Sequence, residues 1–313
     1  MSNKVAVVTG SNKGIGFGIV KGLCQKFDGV VYLTCRDVAK GKAAIAKLNK
    51  LGLHPEYHQL DIGDRDSVIR FRDHIKDTRG GIDILINNAG VAPKFTDSYD
   101  AHKEVIDINY GGILTIEELL FPLLRDNARV LNISSDCGHL SNVKNEYWRN
   151  RLCNKALTRN DIDEFVQWYL DAVRNGTFKR SDIADYGSVA SYRVSKVAIS
   201  ALTMIQQKDL ASRNISVNSM HPGLVSTDMT ARIGFFTPDQ AAETPIYLVL
   251  EAPPSLRGAY IWFDRRVIDW FDYNTDYYFK YASVPRQFVK NIITSKWLFI
   301  LIVAYLACYY LYE

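Results

Sequence analysis

Cysteine is scarce in this chain and is nowhere spaced for a metal. The five of them, Cys24, Cys35, Cys137, Cys153 and Cys308, are odd in number and show no paired ligand spacing. That argues against a disulfide framework or a zinc module and leaves free thiols in a reducing compartment as the expectation. Nor is one sign of charge in excess. Against 38 Lys+Arg stand 34 Asp+Glu, a formal net charge of +4, with no Lys/Arg block and no run of stacking aromatics. No nucleic-acid partner is expected. His54 and His58 have the i,i+4 spacing of a metal pair, but Pro55 lies between them and argues against the helix such a pair needs, so no metal is expected. Met1-Ser2-Asn3-Lys4 runs directly into an apolar stretch, which leaves no room for a secretory signal.

What the sequence has is regular alternation. A chain of 313 residues can form one large domain that buries about three quarters of its unfolded surface. Val5–Val8, Val30–Thr34, Glu56–Leu60, Ile82–Ile86, Arg129–Ile133 and Ser216–Met220 read as strands. The amphipathic stretches 15–27, 38–51, 64–78, 101–124, 189–212 and 238–250 read as helices. Such alternation implies an α/β fold, a doubly wound parallel sheet with helices on both faces and functional loops at the carboxyl ends of the strands.

The motifs fall in those loops or on the helices that follow. Thr9-Gly10-Ser11-Asn12-Lys13-Gly14-Ile15-Gly16 follows the first apolar run and opens a helix. Glycines there allow a tight turn and let the backbone approach a pyrophosphate seated on the helix amino terminus. Asn87-Asn88-Ala89-Gly90, Asn109 and Ser134-Ser135 come next in order. Tyr192-Arg193-Val194-Ser195-Lys196 then puts a phenol and an ammonium on one helical face, one turn apart. Together these residues, spread over roughly 4–270, resemble the short-chain dehydrogenase/reductase family. The resemblance implies a single Rossmann-like, NADP-binding domain over residues 1–271.

The interval from Ser135 to Tyr192, about 57 positions, is far longer than in most of that family. Within it Ile162, Phe165, Val166, Tyr169, Leu170 and Val173 have helical apolar spacing behind a cap at Thr158, so a helical insertion over about 138–186 is expected. The insertion, the Asn12–Gly16 wording and Arg266-Val267-Ile268-Asp269-Trp270 are similar to the monomeric carbonyl reductases, in which the insertion packs where other members dimerise. A monomer is therefore the implied state.

Cofactor choice is read about twenty residues beyond the glycines, where an acid selects NAD and a cation selects NADP. Arg36 holds that place, with Asp37 one residue later and expected to point away; Lys40 and Lys13 stand ready for the same phosphate, with Asn12 beside them. Three cations around one dianion favour NADPH/NADP+. By resemblance, Asp61 and Ile62 border the adenine, and Asn88, Ala89 and Gly90 line the cofactor. Pro222 and Gly223 belong to the segment near the nicotinamide, with Val225 and Thr227 fixing the carboxamide.

The chemistry needs a proton at a developing alkoxide near neutral pH. A free phenol, with pKa about 10, is sluggish there, and an ammonium one turn away, together with the positive charge of the oxidised nicotinamide, is expected to lower that value. Tyr192 is thus read as the proton donor and Lys196 as its electrostatic tuner and ribose contact. Ser135 is read as the hydrogen-bond donor to the carbonyl oxygen, and Asn109 as the holder of a water linked to Lys196. On the substrate side the candidates are Ser135, Lys94, Phe95, His102 and Leu224. Leu224 replaces a tryptophan that carbonyl reductases commonly place over the substrate, which opens the pocket to a bulkier or more lipophilic carbonyl.

Beyond a tyrosine-rich connector (272–291), the chain ends in sixteen uncharged residues, Trp297–Tyr312, behind Arg286, Lys290 and Lys296. Apolar residues on every face, a basic flank and terminal aromatics suit a C-terminal hydrophobic helix over 292–313 that anchors the protein in a membrane. The expectation is an enzyme reducing ketones, aldehydes or quinones with NADPH. Its domain would face the cytosol on the endoplasmic reticulum or another organelle; without the anchor it would be cytoplasmic. A membrane-associated sterol, retinoid or lipid alcohol dehydrogenase is one alternative, and a non-catalytic NADP-binding membrane adaptor is the other.

Overall fold

Every residue of the first strand, β1 (Val5–Val8), is buried, because its two faces look into two different cores. Side chains alternate across a strand. Ala6 and Val8 enter one core and Val5 and Val7 the other. This is why a buried parallel strand reads as a continuous apolar run rather than an alternating one.

The computed structural model describes residues 3–93, 98–184 and 189–273. After β1 come α1 (Gly14–Lys26), β2 (Val30–Cys35), α2 (Val38–Asn49), β3 (Glu56–Gln59), α3 (Arg65–Arg79), β4 (Ile82–Asn87), α4 (Tyr99–Ile106), α5 (Gly112–Leu120) and β5 (Leu124–Ile133). The second half contains α6 (Glu146–Leu152), α7 (Arg159–Arg174), α8 (Ala190–Asp209), β6 (Ser216–Met220), α9 (Pro238–Leu250), β7 (Tyr260–Ile261) and β8 (Val267–Ile268). The strands form one sheet in the order β3-β2-β1-β4-β5-β6-β7-β8, parallel except for the β7–β8 pair. The chain order reverses between β1 and β4, so their carboxyl ends frame the crevice where such sheets bind ligands.

One core packs α1, α2 and α9 on the sheet through residues such as Ile19, Leu23, Leu48 and Ile246; the other packs α3 and α5 through Phe71, Ile75 and Ile116. Fully burying a side chain of this kind contributes about 1.5–3 kcal/mol.

The continuous helix expected over 101–124 is interrupted. A π-helical turn, Asp107–Gly111, separates α4 from α5, and a 3-10 turn at Phe121–Leu123 closes α5 where Pro122 cannot supply a helical N–H. Strand β5 consequently begins at Leu124, five residues earlier than the apolar run suggests, with a register shift between Ile82 and Ile84. The two short strands β7 and β8 were not expected.

The insertion is helical. In α7 Thr158 and Asp161 cap each other reciprocally, and Ile162, Phe165, Val166, Tyr169 and Leu170 turn inward. Helix α7 lies against both α4 and α8. Lys94, Phe95, the connector beyond Tyr273 and the hydrophobic tail lie outside the described residues. Among the described residues no helix is long and apolar enough to cross a membrane.

Candidate active site

The turn after β1 is shaped by what cannot fit in it. Gly10 has φ +61°, and a Cβ there would lie 2.7 Å from Ala89 Cα; at Gly16 a Cβ would lie 2.5 Å from Asn88 Nδ2 and 2.8 Å from Ser11 Cα. Asn88 accounts for this closeness. Its Nδ2 donates to the carbonyls of Thr9 (2.9 Å) and Gly10 (3.1 Å), while the Asn88 and Ala89 amides donate to Thr9 Oγ1. These bonds lock the end of β4 onto the glycine turn. No side chain caps α1, whose Ncap is the exposed Lys13, so its first N–H groups face outward at a site suited to a phosphate.

At the end of β2 the two candidates for cofactor choice have separated. Asp37 is the N-cap of α2: Oδ1 accepts from the Lys40 amide at 3.0 Å, and Lys40 Nζ stands 3.4 Å from its Oδ2. The Lys40 amide, helped by its ammonium, holds this carboxyl below its usual value. Arg36 is exposed, and its guanidinium has no ion pair among the described residues. An engaged acid and a free cation fit a nucleotide with a 2′-phosphate better than one with a bare ribose. Lys13 is paired with Asp228 at 2.8 Å, an exposed bond that would yield readily to a phosphate. Asp61 accepts from Gly63 at 3.0 Å, whereas Ile62 is buried in the core, where a Gly112 Cβ would meet its side chain at 2.8 Å. Half-buried Asn12 and Ile15 stand in the same turn.

The catalytic candidates converge from three elements. Tyr192 and Lys196 sit in the first turns of α8, Ser135 is the second residue beyond β5, and Asn109 lies in the π-helical turn. Lys196 Nζ donates to Ile133 O at 2.8 Å and lies 5.4 Å from the centroid of the Tyr192 ring. A Cβ on Gly90 would come within 3.1 Å of Asn109 Oδ1 and 3.8 Å of Lys196 Nζ, which places the fourth-strand loop at the same point.

The two serines take different places. Ser134 is buried, with Oγ bonded to Ser200 Oγ (2.8 Å) and Lys196 O (3.3 Å), and pins β5 to α8. Ser135 faces Tyr192 and donates to Asp136 Oδ1 at 2.7 Å. The Asn109 side chain braces the Gly90 loop against α8: its Oδ1 accepts from Val91 N (2.8 Å), and its Nδ2 donates to Val91 O (3.0 Å) and Ser195 Oγ (3.1 Å).

Burial, then the neighbouring Cys137 and Asp136, push Tyr192 above its ordinary value, with the Ser135 hydroxyl offsetting part of the rise. Burial brings Lys196 down to about 8. His221 is neutral: Nδ1 accepts the Asp136 amide at 2.9 Å, and burial lowers its pKa.

The Pro222-Gly223 segment folds back over the glycine turn. Val225 is buried and bridges to Phe236, and a Gly14 Cβ would lie 3.4 Å from Thr227 Cγ2. Leu224 is 40% exposed and free to meet a substrate. His102 is not. It is buried, with Nδ1 and the Tyr169 phenol 2.5 Å apart, so the ring joins α4 to the insertion and the reading of it as a substrate contact is corrected. Asp136 is the residue that sequence reading missed. Its only signal was an acid directly after the second serine.

Comparison with known proteins agrees with this geometry. The family model for short chain dehydrogenases matches residues 4–147 and 181–235, leaving the core of the insertion unmatched. Bovine (Bos taurus) carbonyl reductase [NADPH] 1 is 35% identical over 86% of this chain and 99% of its own. Mouse (Mus musculus) carbonyl reductase [NADPH] 3 is 37% identical over 80% and 92%. Among solved structures, salutaridine reductase from Papaver somniferum superposes with a TM-score of 0.75 at 32% identity, covering 83% of this chain and 99% of its own. With the family model spanning well over half the chain and relatives above 30% identity over most of it, the protein belongs to the short-chain dehydrogenase/reductase family.

Proposed function

We propose that this protein is an NADPH-dependent carbonyl reductase acting on ketones, aldehydes or quinones, with Tyr192 as the proton donor. The observation that carries the reading is the convergence of Tyr192, Lys196 and Ser135 beside the glycine turn, on a sheet whose cofactor-selecting cation, Arg36, is unpaired. The relatives named carbonyl reductase [NADPH] support the cofactor and the carbonyl class.

NADPH, when bound, supplies the hydride. The chain's own residues hold and protonate the oxygen that receives it. Ser135 turns its hydroxyl to the carbonyl oxygen as charge develops. Tyr192, kept as a phenol by its surroundings, has the proton in place to give to an alkoxide, which is far more basic. Lys196, held by Ile133, lies where its ammonium stabilises the phenolate left behind.

Loss of absorbance at 340 nm, measured on full-length protein in mild detergent with a panel of quinones, ketones and aldehydes, tests this. Turnover with NADPH that disappears in Tyr192→Phe is expected. Activity that survives the substitution would remove Tyr192 from the mechanism, and strong preference for NADH would favour an alcohol dehydrogenase.

Two further parts of the reading rest on other observations. A monomer is supported by α7, which covers α4 and α8 with the chain's own insertion. Anchoring through 292–313 is supported by the uncharged run Trp297–Tyr312 behind its basic flank, and implies a cytosol-facing membrane protein. Membranes that retain the full-length protein through carbonate washing would bear it out; release would leave it peripheral.

A further inference from the structure

Asp136 is a carboxylate placed against the reacting centre with part of its bonding capacity unused. Its Oδ1 accepts from the Ser135 hydroxyl at 2.7 Å and from the Cys137 amide at 2.9 Å. Its Oδ2 has no hydrogen bond or ion pair among the described residues, and half of the side chain is exposed. The polar and charged groups around it do not neutralise it by contact. His221 accepts the Asp136 amide through Nδ1 and therefore carries no proton there, and its ring stays 3.9 Å from Oδ1. Arg193 donates to Asn142 Oδ1 and makes no ion pair with Asp136. Lys196 is turned to Ile133 O, Cys137 is a thiol held neutral by burial, and Tyr260 gives its proton to Ser135 O at 2.6 Å.

A substrate whose carbonyl oxygen reaches Ser135 and Tyr192 brings the substituent beside that carbonyl to Asp136. An anionic substituent meets a carboxylate whose Oδ2 no cation contacts among the described residues, His221 and Arg193 acting on it only through space, and a protonated amine finds an open acceptor. Repulsion of this kind discriminates as effectively as attraction.

We propose that Asp136 is a specificity-determining residue that selects carbonyl substrates bearing a cationic, protonated amine close to the carbonyl and rejects those bearing a carboxylate there. The inference rests on the reductase reading. It adds a second effect: a cation on Oδ2 draws the carboxylate away from Ser135 and frees that hydroxyl for the substrate oxygen.

Three ketones of similar size test it: 3-amino-1-phenylpropan-1-one (β-amino, cationic at neutral pH), phenylglyoxylate (anionic) and propiophenone (neutral). Each is assayed as kcat/KM in full-length wild-type enzyme and in Asp136→Asn. Comparing the amine-to-acid ratio between the two enzymes cancels the intrinsic reactivity of the ketones. The ratio is expected to fall by at least about fivefold in the variant; a smaller change overturns the proposal. Wild-type turnover of none of the three would sink the reductase reading and this inference together, whereas turnover with an unchanged ratio would sink the inference alone. NADPH binding, followed by fluorescence, reports whether the variant folds. If it does not, competitive inhibition of the wild type by benzyltrimethylammonium and by benzoate reads the same charge preference. Tighter binding of the ammonium supports the proposal, and equal or tighter binding of benzoate overturns it.

Discussion

Lys196 Nζ donates to the main-chain oxygen of Ile133 at 2.8 Å, which ties the ammonium of α8 to the last residue of β5, two positions before Ser135. The bond fixes the height of the ammonium above the sheet and sets its distance to the Tyr192 ring. A guanidinium is larger and planar and does not reproduce a point charge at that place. Lys196→Met and Lys196→Arg are both expected to lower kcat/KM for reduction by about a hundredfold or more, within the range for loss of an acid–base component.

The same residue sets a pH limit. Burial brings Lys196 down to about 8, so the ammonium is present below that pH and lost above it. Because the ammonium stabilises the phenolate formed on proton donation, kcat/KM for reduction should fall as pH rises through about 8. A pH–rate profile from 6 to 10 checks this. A profile flat to pH 10 would mean that Lys196 stays charged or is not needed.

Arg36 is our candidate for the residue that selects NADPH. Loss of a charge-assisted bond to the 2′-phosphate costs about 1.5–3 kcal/mol, so Arg36→Ala should raise the KM for NADPH by about ten- to a hundredfold and leave that for NADH nearly unchanged. Equal effects on both cofactors would place the guanidinium elsewhere.

Gly16→Ala puts a methyl 2.5 Å from Asn88 Nδ2 and 2.8 Å from Ser11 Cα, and the second neighbour is backbone that cannot step aside. A destabilisation of about 1–3 kcal/mol is expected, in the range of overpacked cores. NADPH affinity should fall with it, because the Asn88 bonds to Thr9 and Gly10 shape the turn. Thermal unfolding and NADPH titration measure the two effects.

Buried histidines make the fold sensitive to acid. His139 and His221 each accept a main-chain amide at Nδ1, from Ser141 and Asp136 respectively, and burial lowers the pKa of both. In the unfolded chain they take up a proton near pH 6.5, while in the fold they remain neutral to lower pH. Stability present above about pH 6.5 is therefore lost as pH falls, by about 1.4 kcal/mol per pH unit for each group. The melting temperature should be lower at pH 5.5 than at 7.5, and His139→Asn should flatten that slope.

What the sequence determined by itself is whatever depends on local pattern and spacing. Six of the seven parallel strands overlap the stretches the pattern predicts, mostly because a strand buried on both faces admits little but apolar residues; β3, at the sheet edge, is only half-buried. The glycine turn and the cap at Thr158 were legible because each is a short-range constraint on backbone or spacing. Tertiary structure decided the rest. His102 looks like a substrate contact until α7 folds across α4 and Tyr169 takes its ring. Asn109 gives no sign in sequence that Val91 and Ser195 engage its amide. Nor does the one-turn spacing of Tyr192 and Lys196 show that Asp136 and Cys137 lie beside the phenol. In each case the deciding partner is distant in sequence or the deciding quantity is burial. Periodicity encodes neither, since both arise only when separate elements are packed together.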